Sequence, residues 1–374
     1  MNIGEAVLIE LLDASLAADY TRVRRVGGEI ARLLSEAGDA ETAKRIRSLL
    51  RKRGVPLQAS GLTEALPVDA ASRLPLIEEQ DWPVTPLFVN EAVRDVLARF
   101  LEDARNVELL AGRGLSPRLC LMLSGEPGTG KSLLAGHVAA QLRRPFYVAR
   151  LDSLISSRLG ETAKNIRGIF DFAPARGAVL FLDEMDAVAK LRDDRHELGE
   201  LKRVVNTVIQ GLDSVPENSV VIGATNHPQL LDSAIWRRFP YKIEIDAPDH
   251  DVRAAMWLHF LYEDAPSNEH GADLLAALSQ GMSGADIENL ALTARRQSVL
   301  EGKALDLAGV VWAVAQPHGK PLRLPSRAGL TADQRKELAR RLASVSRVRK
   351  GEIAHILGVS RQMVARYLRE DADG

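Results

Sequence analysis

A chain of 374 residues, 46% hydrophobic and 26% charged, is long enough for two or three folded domains and has the composition of a soluble globular protein. Its formal net charge of −1 excludes a uniformly basic polyanion binder. Cys120 is the only cysteine, which excludes an intrachain disulfide and a cysteine-held metal and fits a reducing cytoplasm. Residues 1–20 carry Glu5, Glu10 and Asp13 among their apolar positions and do not read as a signal peptide. Apolar runs such as 178–182 are far too short to cross a bilayer, so no membrane partner is expected.

Residues 1–55 read as a helical bundle. Val7, Leu8, Leu11 and Leu12 share a face at helical spacing, Ile30, Leu33 and Leu34 mark a second helix, and Asp39 is placed to cap a third over 44–50. Residues 56–82, punctuated by Pro56, Gly61, Pro67 and Pro75, read as a linker. From 83 to 320 strand and helix signals alternate, with β-rich runs at 119–124, 145–149, 179–183, 220–224 and 243–245. Leu201, Val204, Val205, Val208, Ile209 and Leu212 form one apolar helical stripe. This pattern predicts an α/β fold, a parallel sheet with helices on both faces, over 83–247. After Val252 the β signal stops, and 248–320 read as a helical lid. Residues 330–374 form a short, basic, helical end.

Gly125-Glu126-Pro127-Gly128-Thr129-Gly130-Lys131-Ser132 fits G-x-x-x-x-G-K-[ST] between a predicted strand and a helix over 133–142. The glycines let backbone N–H groups turn around a phosphate, and the helix adds the positive end of its dipole. Lys131 is placed to reach the β- and γ-phosphates of ATP, and Ser132 to ligate Mg²⁺. The buried strand 179–183 ends in Asp183-Glu184, where a strand's carboxyl end opens on the ligand crevice. Asp183 fits the Mg²⁺ shell and Glu184 the base that orients the attacking water.

These residues, with several downstream segments, resemble the AAA ATPases, and the resemblance covers about 83–320. Ile222-Gly-Ala-Thr-Asn226 resembles the family's sensor strand, which implies that Asn226 contacts the γ-phosphate and the lytic water; an amide can donate to one and accept from the other. Leu231-Asp-Ser-Ala-Ile-Trp-Arg-Arg-Phe239 resembles the arginine-finger segment, which implies that Arg237 and Arg238 reach a neighbouring subunit's nucleotide. A homo-oligomeric ring, usually a hexamer, is implied in turn. Gly281-Met-Ser-Gly-Ala-Asp-Ile287 resembles the start of a lid helix where Gly284 and Ala285 pack near the adenine; Ser283 and Asp286 also have capping-box spacing. The same likeness extends the nucleotide-binding string through Leu133.

Within the family the chain is similar to the group containing katanin, spastin and the ESCRT-disassembly ATPase. Leu154-Ile-Ser-Ser-Arg-Leu-Gly160-Glu161 resembles their first pore loop, with Arg158 where those motors place an aromatic grip, and 190–200 corresponds to a second pore loop. The N-terminal helices resemble the partner-recruiting modules of that group, and their basic clusters at 22–25 and 45–53 read equally as solvated faces. The strings at 157–161 and 197–203 resemble bacterial AAA proteins encoded beside subtilisin-like proteases in phage-defence operons, implying such a protease as partner.

Residues 350–368 resemble a helix-turn-helix. Ile353, Ala354 and Leu357 make one apolar face, Gly358-Val359 the turn, and Ser360 caps a second helix on which Val364 and Tyr367 pack back. Arg361, Gln362 and Arg366 are left to face outward. Residues 331–369 hold ten Lys/Arg against three Asp/Glu. Such a module binds double-stranded DNA or docks a protein. Two functions are compatible with these features: a ring ATPase that remodels or delivers a macromolecule, or an ATP-switched DNA-binding protein of the initiator or loader type.

Overall fold

The computed structural model describes residues 7, 9–10, 20–36, 39, 41–44, 46, 66–69, 75–152, 159–187, 198–316, 324–345 and 348–369. The chain divides into two compact units, Met1–Leu66 and Pro67–Gly374. In the first, helix α1 (Tyr20–Glu36) buries Val26, Ile30 and Leu34 against Ala43. Asp39 does cap the next helical turn: its Oδ1 accepts from the Thr42 N–H at 3.0 Å, and helix is present by residue 41, before the expected 44. Leu8, Leu11 and Leu12 lie outside the described residues.

The second unit is built on a six-stranded sheet in the order β1-β3-β4-β5-β2-β6. Its strands are β1 (Glu78–Gln80), β2 (Cys120–Ser124), β3 (Phe146–Arg150), β4 (Val179–Asp183), β5 (Val220–Thr225) and β6 (Tyr241–Glu244). β2 to β6 are the five predicted strands, and they pair in parallel. Helices α2 (Glu91–Arg105) and α3 (Val107–Ala111) precede β2, and α4 (Lys131–Leu142) comes after it. Phe100, Leu101, Leu134 and Val138 share a core with Val179 and Phe181 of β4. Leu180 and Leu182, which alternation turns to the opposite face, are equally buried, so the sheet is covered on both sides. α5 (Leu159–Ala175) packs on β4 and against α6 (Leu198–Ser214). Of the predicted stripe on α6, Val204, Val208 and Leu212 are buried, while Val205 and Ile209 are half-buried.

Two features add to these expectations. The mostly parallel sheet carries one antiparallel pairing, β1 with β3 at its edge. The stretch read as a linker is also partly tied down. Besides β1, Val68 bridges Pro75, and the buried Asp69 accepts a hydrogen bond from Asn165 Nδ2 of α5 at 2.6 Å. A buried carboxylate with a side-chain amide partner anchors chain, because losing that partner would strand a polar group.

After the short α7 (Ser233–Trp236) and β6 come only helices: α8 (His250–Tyr262), α9 (Glu269–Leu278), α10 (Gly284–Glu301) and α11 (Leu307–Val314). Asp249, Ser283 and Asp306 cap α8, α10 and α11 with their side chains, and Ser283 forms the full capping box with Asp286. The Arg253 guanidinium, 7% exposed, donates to Pro248 O and Ala276 O and so clamps the start of this helical region. Three further helices complete the described chain, α12 (Ala332–Ser344), α13 (Lys350–Leu357) and α14 (Arg361–Arg369). α13 ends on Gly358 at φ 65°, a left-handed position suited to glycine, and the Met363 N–H reaches Ser360 Oγ at 3.2 Å. Leu338, Leu342, Ile353, Leu357 and Val364 belong to the same continuous core as Trp257, Leu275 and Val310, so α8 to α14 are packed as one helical body.

Candidate active site

The carboxyl ends of β2, β4 and β5 meet at one cleft of about 440 Å³, the crevice position expected of a parallel sheet. β2 is wholly buried, and the chain leaves it through Gly125 at φ 150°, where a Cβ would stand 2.3 Å from Ile245 O. Gly128 at φ 79° and Gly130 at φ 96° complete a turn that side chains would strain. Gly130 is the N-cap of α4 and brings no side-chain cap, leaving the first N–H groups of the helix to face the cleft. Pro127 through Leu133 line that cleft. Gly125 and Glu126 stand behind it, their carbonyls accepting from Lys131 Nζ at 2.8 Å each. Burial holds the Lys131 ammonium below its ordinary pKa, and Asp183 and Asp186 pull the other way.

Asp183, Glu184 and Asn226 line the same cleft. Asp183 Oδ1 accepts from the Glu184 N–H at 2.9 Å, and Glu184 sits at φ 55°, a left-handed conformation rare outside glycine and concentrated at functional sites. Burial raises the Glu184 carboxyl above its usual range, and the neighbouring Asp152, Asp183 and Asp186 carboxylates add to it. A carboxylate shifted toward neutrality is a better proton acceptor at physiological pH. Ser132 and Asp183 are the hard oxygen donors that suit Mg²⁺. Among the described residues no cluster of three His, Cys, Asp or Glu could hold a metal alone. A divalent ion here would complete its shell with phosphate and water, as Mg²⁺ does.

The opposite wall comes partly from the helical region. Val252, Met256 and Phe260 of α8 line it together with Phe88 and Val89, the Phe88 and Phe260 rings 5.8 Å apart, and give it an apolar side. Gly284 and Ala285 also line it, and they touch the phosphate turn: the Ala285 N–H donates to Gly128 O at 3.1 Å. A Cβ on Gly128 would come within 3.1 Å of Ala285 Cβ.

Neither arginine lines this cleft. Arg238 spends its fork on Asp213 of α6, Nε to Oδ1 at 3.2 Å and Nη2 to Oδ2 at 3.0 Å, and its Nη1 donates to Ala234 O. Arg118 Nη1 holds the same carboxylate at 2.9 Å. Hydrogen bonds from these two guanidinium groups hold the Asp213 carboxyl below its usual range against the effect of burial. Arg237, at the C-cap of α7, is exposed; its backbone N–H donates to Ser233 O, and its guanidinium has no hydrogen-bond partner among the described residues. Arg158 and residues 190–197 lie outside the described residues.

Sequence reasoning missed three contributors. Asp186, 1% exposed, accepts from Thr225 Oγ1 at 3.1 Å and from the Asn226 N–H at 3.3 Å, tying the acidic turn to the sensor strand. A third acid so close to Asp183-Glu184 was its available signal. The cleft wall at 85–90 and the Asp213 latch carry no local motif.

The AAA family profile, "ATPase family associated with various cellular activities", matches residues 121–247. An uncharacterized AAA family ATPase of Sinorhizobium fredii is 36% identical over 276 residues, 70% of this chain and 82% of that protein. A proteasome-activating nucleotidase of Methanococcus vannielii is 32% identical over 66% of this chain and 63% of its own length. The crystal structure of a FIGL-1 AAA domain in complex with ADP matches with a TM-score of 0.50 and 26% identity, over 60% of this chain and 77% of that one. The likeness to the katanin–spastin group read from the sequence agrees with this neighbour. With a glycine cradle, a buried lysine and two acids gathered at one cleft, and with relatives of this kind, the chain belongs to the AAA family and is an ATP-hydrolysing enzyme.

Proposed function

We propose that the chain works as a homo-oligomeric ring, a hexamer, in which ATP bound at one cleft is hydrolysed with help from the neighbouring subunit, and that the ring remodels a macromolecule. One observation carries this reading: the cleft gathers Lys131, Asp183, Glu184 and Asn226, yet Arg237 and Arg238 stand outside it. Lys131 and the N–H groups of 128–132 bind the phosphates, Ser132 and Asp183 would hold Mg²⁺, which would neutralise phosphate charge there, and Glu184 takes the proton of the attacking water. Asn226 orients that water. Gly284 and Ala285 close the cradle from the lid side, and the apolar wall of Phe88, Met256 and Phe260 takes the base. The ADP in the FIGL-1 structure supports this placement by analogy. The arginine pair serves the next subunit's γ-phosphoryl group.

Mixing tests it. Glu184→Gln should bind ATP and hydrolyse it about 10²–10⁴-fold more slowly, since an amide cannot accept the proton. An Arg237→Ala, Arg238→Ala double variant should be similarly inactive. Mixed rings, verified by mass photometry, should regain activity at interfaces that pair an intact Glu184 with intact arginines. Mixed rings without rescue would sink the shared-site reading.

Delivery of the substrate to a protease finds support in the name of the archaeal relative, a proteasome-activating nucleotidase. The finer version, a subtilisin-like protease partner in phage defence, rests on the strings at 157–161 and 197–203 and is tested by co-purification with such a protease. A second reading is favoured by the C-terminal helices, where Arg361, Gln362, Arg366 and Arg369 are exposed on α14. They suit a helix-turn-helix that binds double-stranded DNA.

A further inference from the structure

The exposed polar residues of α14 fall on one side. At about 100° per residue, Arg361, Arg369, Gln362 and Arg366 span roughly 140° of arc, and Val364 and Tyr367 lie on the other side. Val364 is wholly buried, so the packed side is fixed and the basic side is turned outward. The face extends onto α13. A Cβ on Gly351 would stand 3.1 Å from both Nε and Nη2 of Arg361, which places that guanidinium beside the exposed Arg349 and Lys350. Of the three acids within 331–369, Glu337 is paired with Arg341 at 2.9 Å and Glu352 with His270. These two carboxylates are thus engaged by cations other than the arginines of α14.

The same helices are joined to the nucleotide cleft by packing. Met256 and Phe260 line the cleft, and both belong to the hydrophobic core that holds Val310, Leu338, Leu357 and Val364. α11 packs against α12 and α13, and the His270–Glu352 pair links α9 to α13. On the other side, the phosphate turn is hydrogen-bonded to the start of α10 through Gly128 O and the Ala285 N–H. A nucleotide in the cleft thus touches the β-sheet half and the helical body together. Close-packed interiors transmit displacement because they have no slack to absorb it.

We propose that the basic face formed by Arg349, Lys350, Arg361, Arg366 and Arg369 docks the phosphates of duplex DNA, and that nucleotide in the cleft changes its affinity for that DNA through the shared core of α8 to α14. The proposal rests on the DNA-binding reading above and adds its control. Linkage makes the effect reciprocal: whatever factor ATP applies to DNA affinity, DNA applies to ATP affinity.

The test uses the full-length Glu184→Gln protein, a fluorescent 20-base-pair duplex, and fluorescence anisotropy with ATP, with ADP and without nucleotide. Dissociation constants should differ by roughly 5–150-fold between nucleotide states, and saturating duplex should shift ATP affinity by the same factor. Binding should weaken steeply with salt, and Arg361→Ala or Arg366→Ala should each cost about 5- to 150-fold if it contacts a base, or lower the salt slope by about one if it contacts a phosphate. Salt-sensitive DNA binding that is identical in all nucleotide states would overturn the coupling and leave the DNA reading standing. No DNA binding in any state would overturn both. Displacement of the duplex by polyglutamate at matched charge would overturn DNA as the occupant in favour of an acidic protein.

Discussion

Lys131 and Arg238 are both cations beside the sheet, and they are held in opposite ways. Lys131 is 8% exposed, and its ammonium rests on two carbonyls of the phosphate turn, inside the cleft it serves. Arg238 is partly exposed, gripped by Asp213 outside the cleft, next to an Arg237 whose guanidinium has no partner among the described residues. Under the proposed function, the first is a binding site complete within the chain and the second a pair of charges that serves the neighbouring subunit. A single subunit should then bind ATP well and hydrolyse it poorly, and activity should rise with protein concentration as rings assemble.

The sharpest way to separate the two regions is Arg237→Ala. Under the proposed division it should leave ATP affinity nearly unchanged, because no cleft contact is lost, while the hydrolysis rate falls about 10³–10⁵-fold, the range for an arginine finger supplied in trans. Equal loss of affinity and rate, by calorimetry and a phosphate-release assay, would place Arg237 in its own cleft and erase the contrast.

Asp186→Ala probes the complete region. It leaves Thr225 Oγ1 and the Asn226 N–H without their buried acceptor, which should destabilise the fold by about 1–3 kcal/mol. Thermal unfolding followed by circular dichroism reads this as a lowered Tm. An unchanged Tm would mean that the sensor strand is held by other contacts.

Asp213→Asn should be the mildest. Exposed ion pairs contribute about 0.2–1 kcal/mol, so Tm should barely move. Hydrolysis should change while nucleotide affinity does not, because only the aim of Arg238 is altered. A large drop in Tm would make Asp213 a structural member and not a latch on the arginine.

What could be read from sequence divides along the same line. The phosphate turn was legible because its chemistry restricts residue type at each position: glycine where φ is positive, lysine for the phosphates, a hydroxyl at the helix start. Parallel strands β2 to β5 were legible because they are buried along nearly their whole length and so carry long apolar runs, whereas β6, Tyr-Lys-Ile-Glu, buries only Ile243. β1 was not. Glu78, Glu79 and Gln80 are all exposed, and nothing in that string asks for a strand; the free edge of β3 does. The Arg238–Asp213 pairing spans 25 residues and two elements, and no local pattern encodes it. Arg253 looked like any helix-surface arginine, and only tertiary packing turns it into a buried clamp on Pro248 and Ala276.

The contact between Gly128 O and the Ala285 N–H is made entirely of main chain. Truncating side chains to alanine does not delete it, because donor and acceptor are both main-chain atoms; only at Gly128 and Gly284, where alanine adds a Cβ, does the substitution crowd the contact. Drift in the surrounding residues can therefore proceed without opening this link between the two halves, and comparing side chains among variants would never single it out. Removing it takes a change in the backbone itself. Proline in place of Ala285 loses the N–H, and within the first turn of α10 it does so without breaking the helix. The amide-to-ester replacement at the same residue would do so with almost no change in shape.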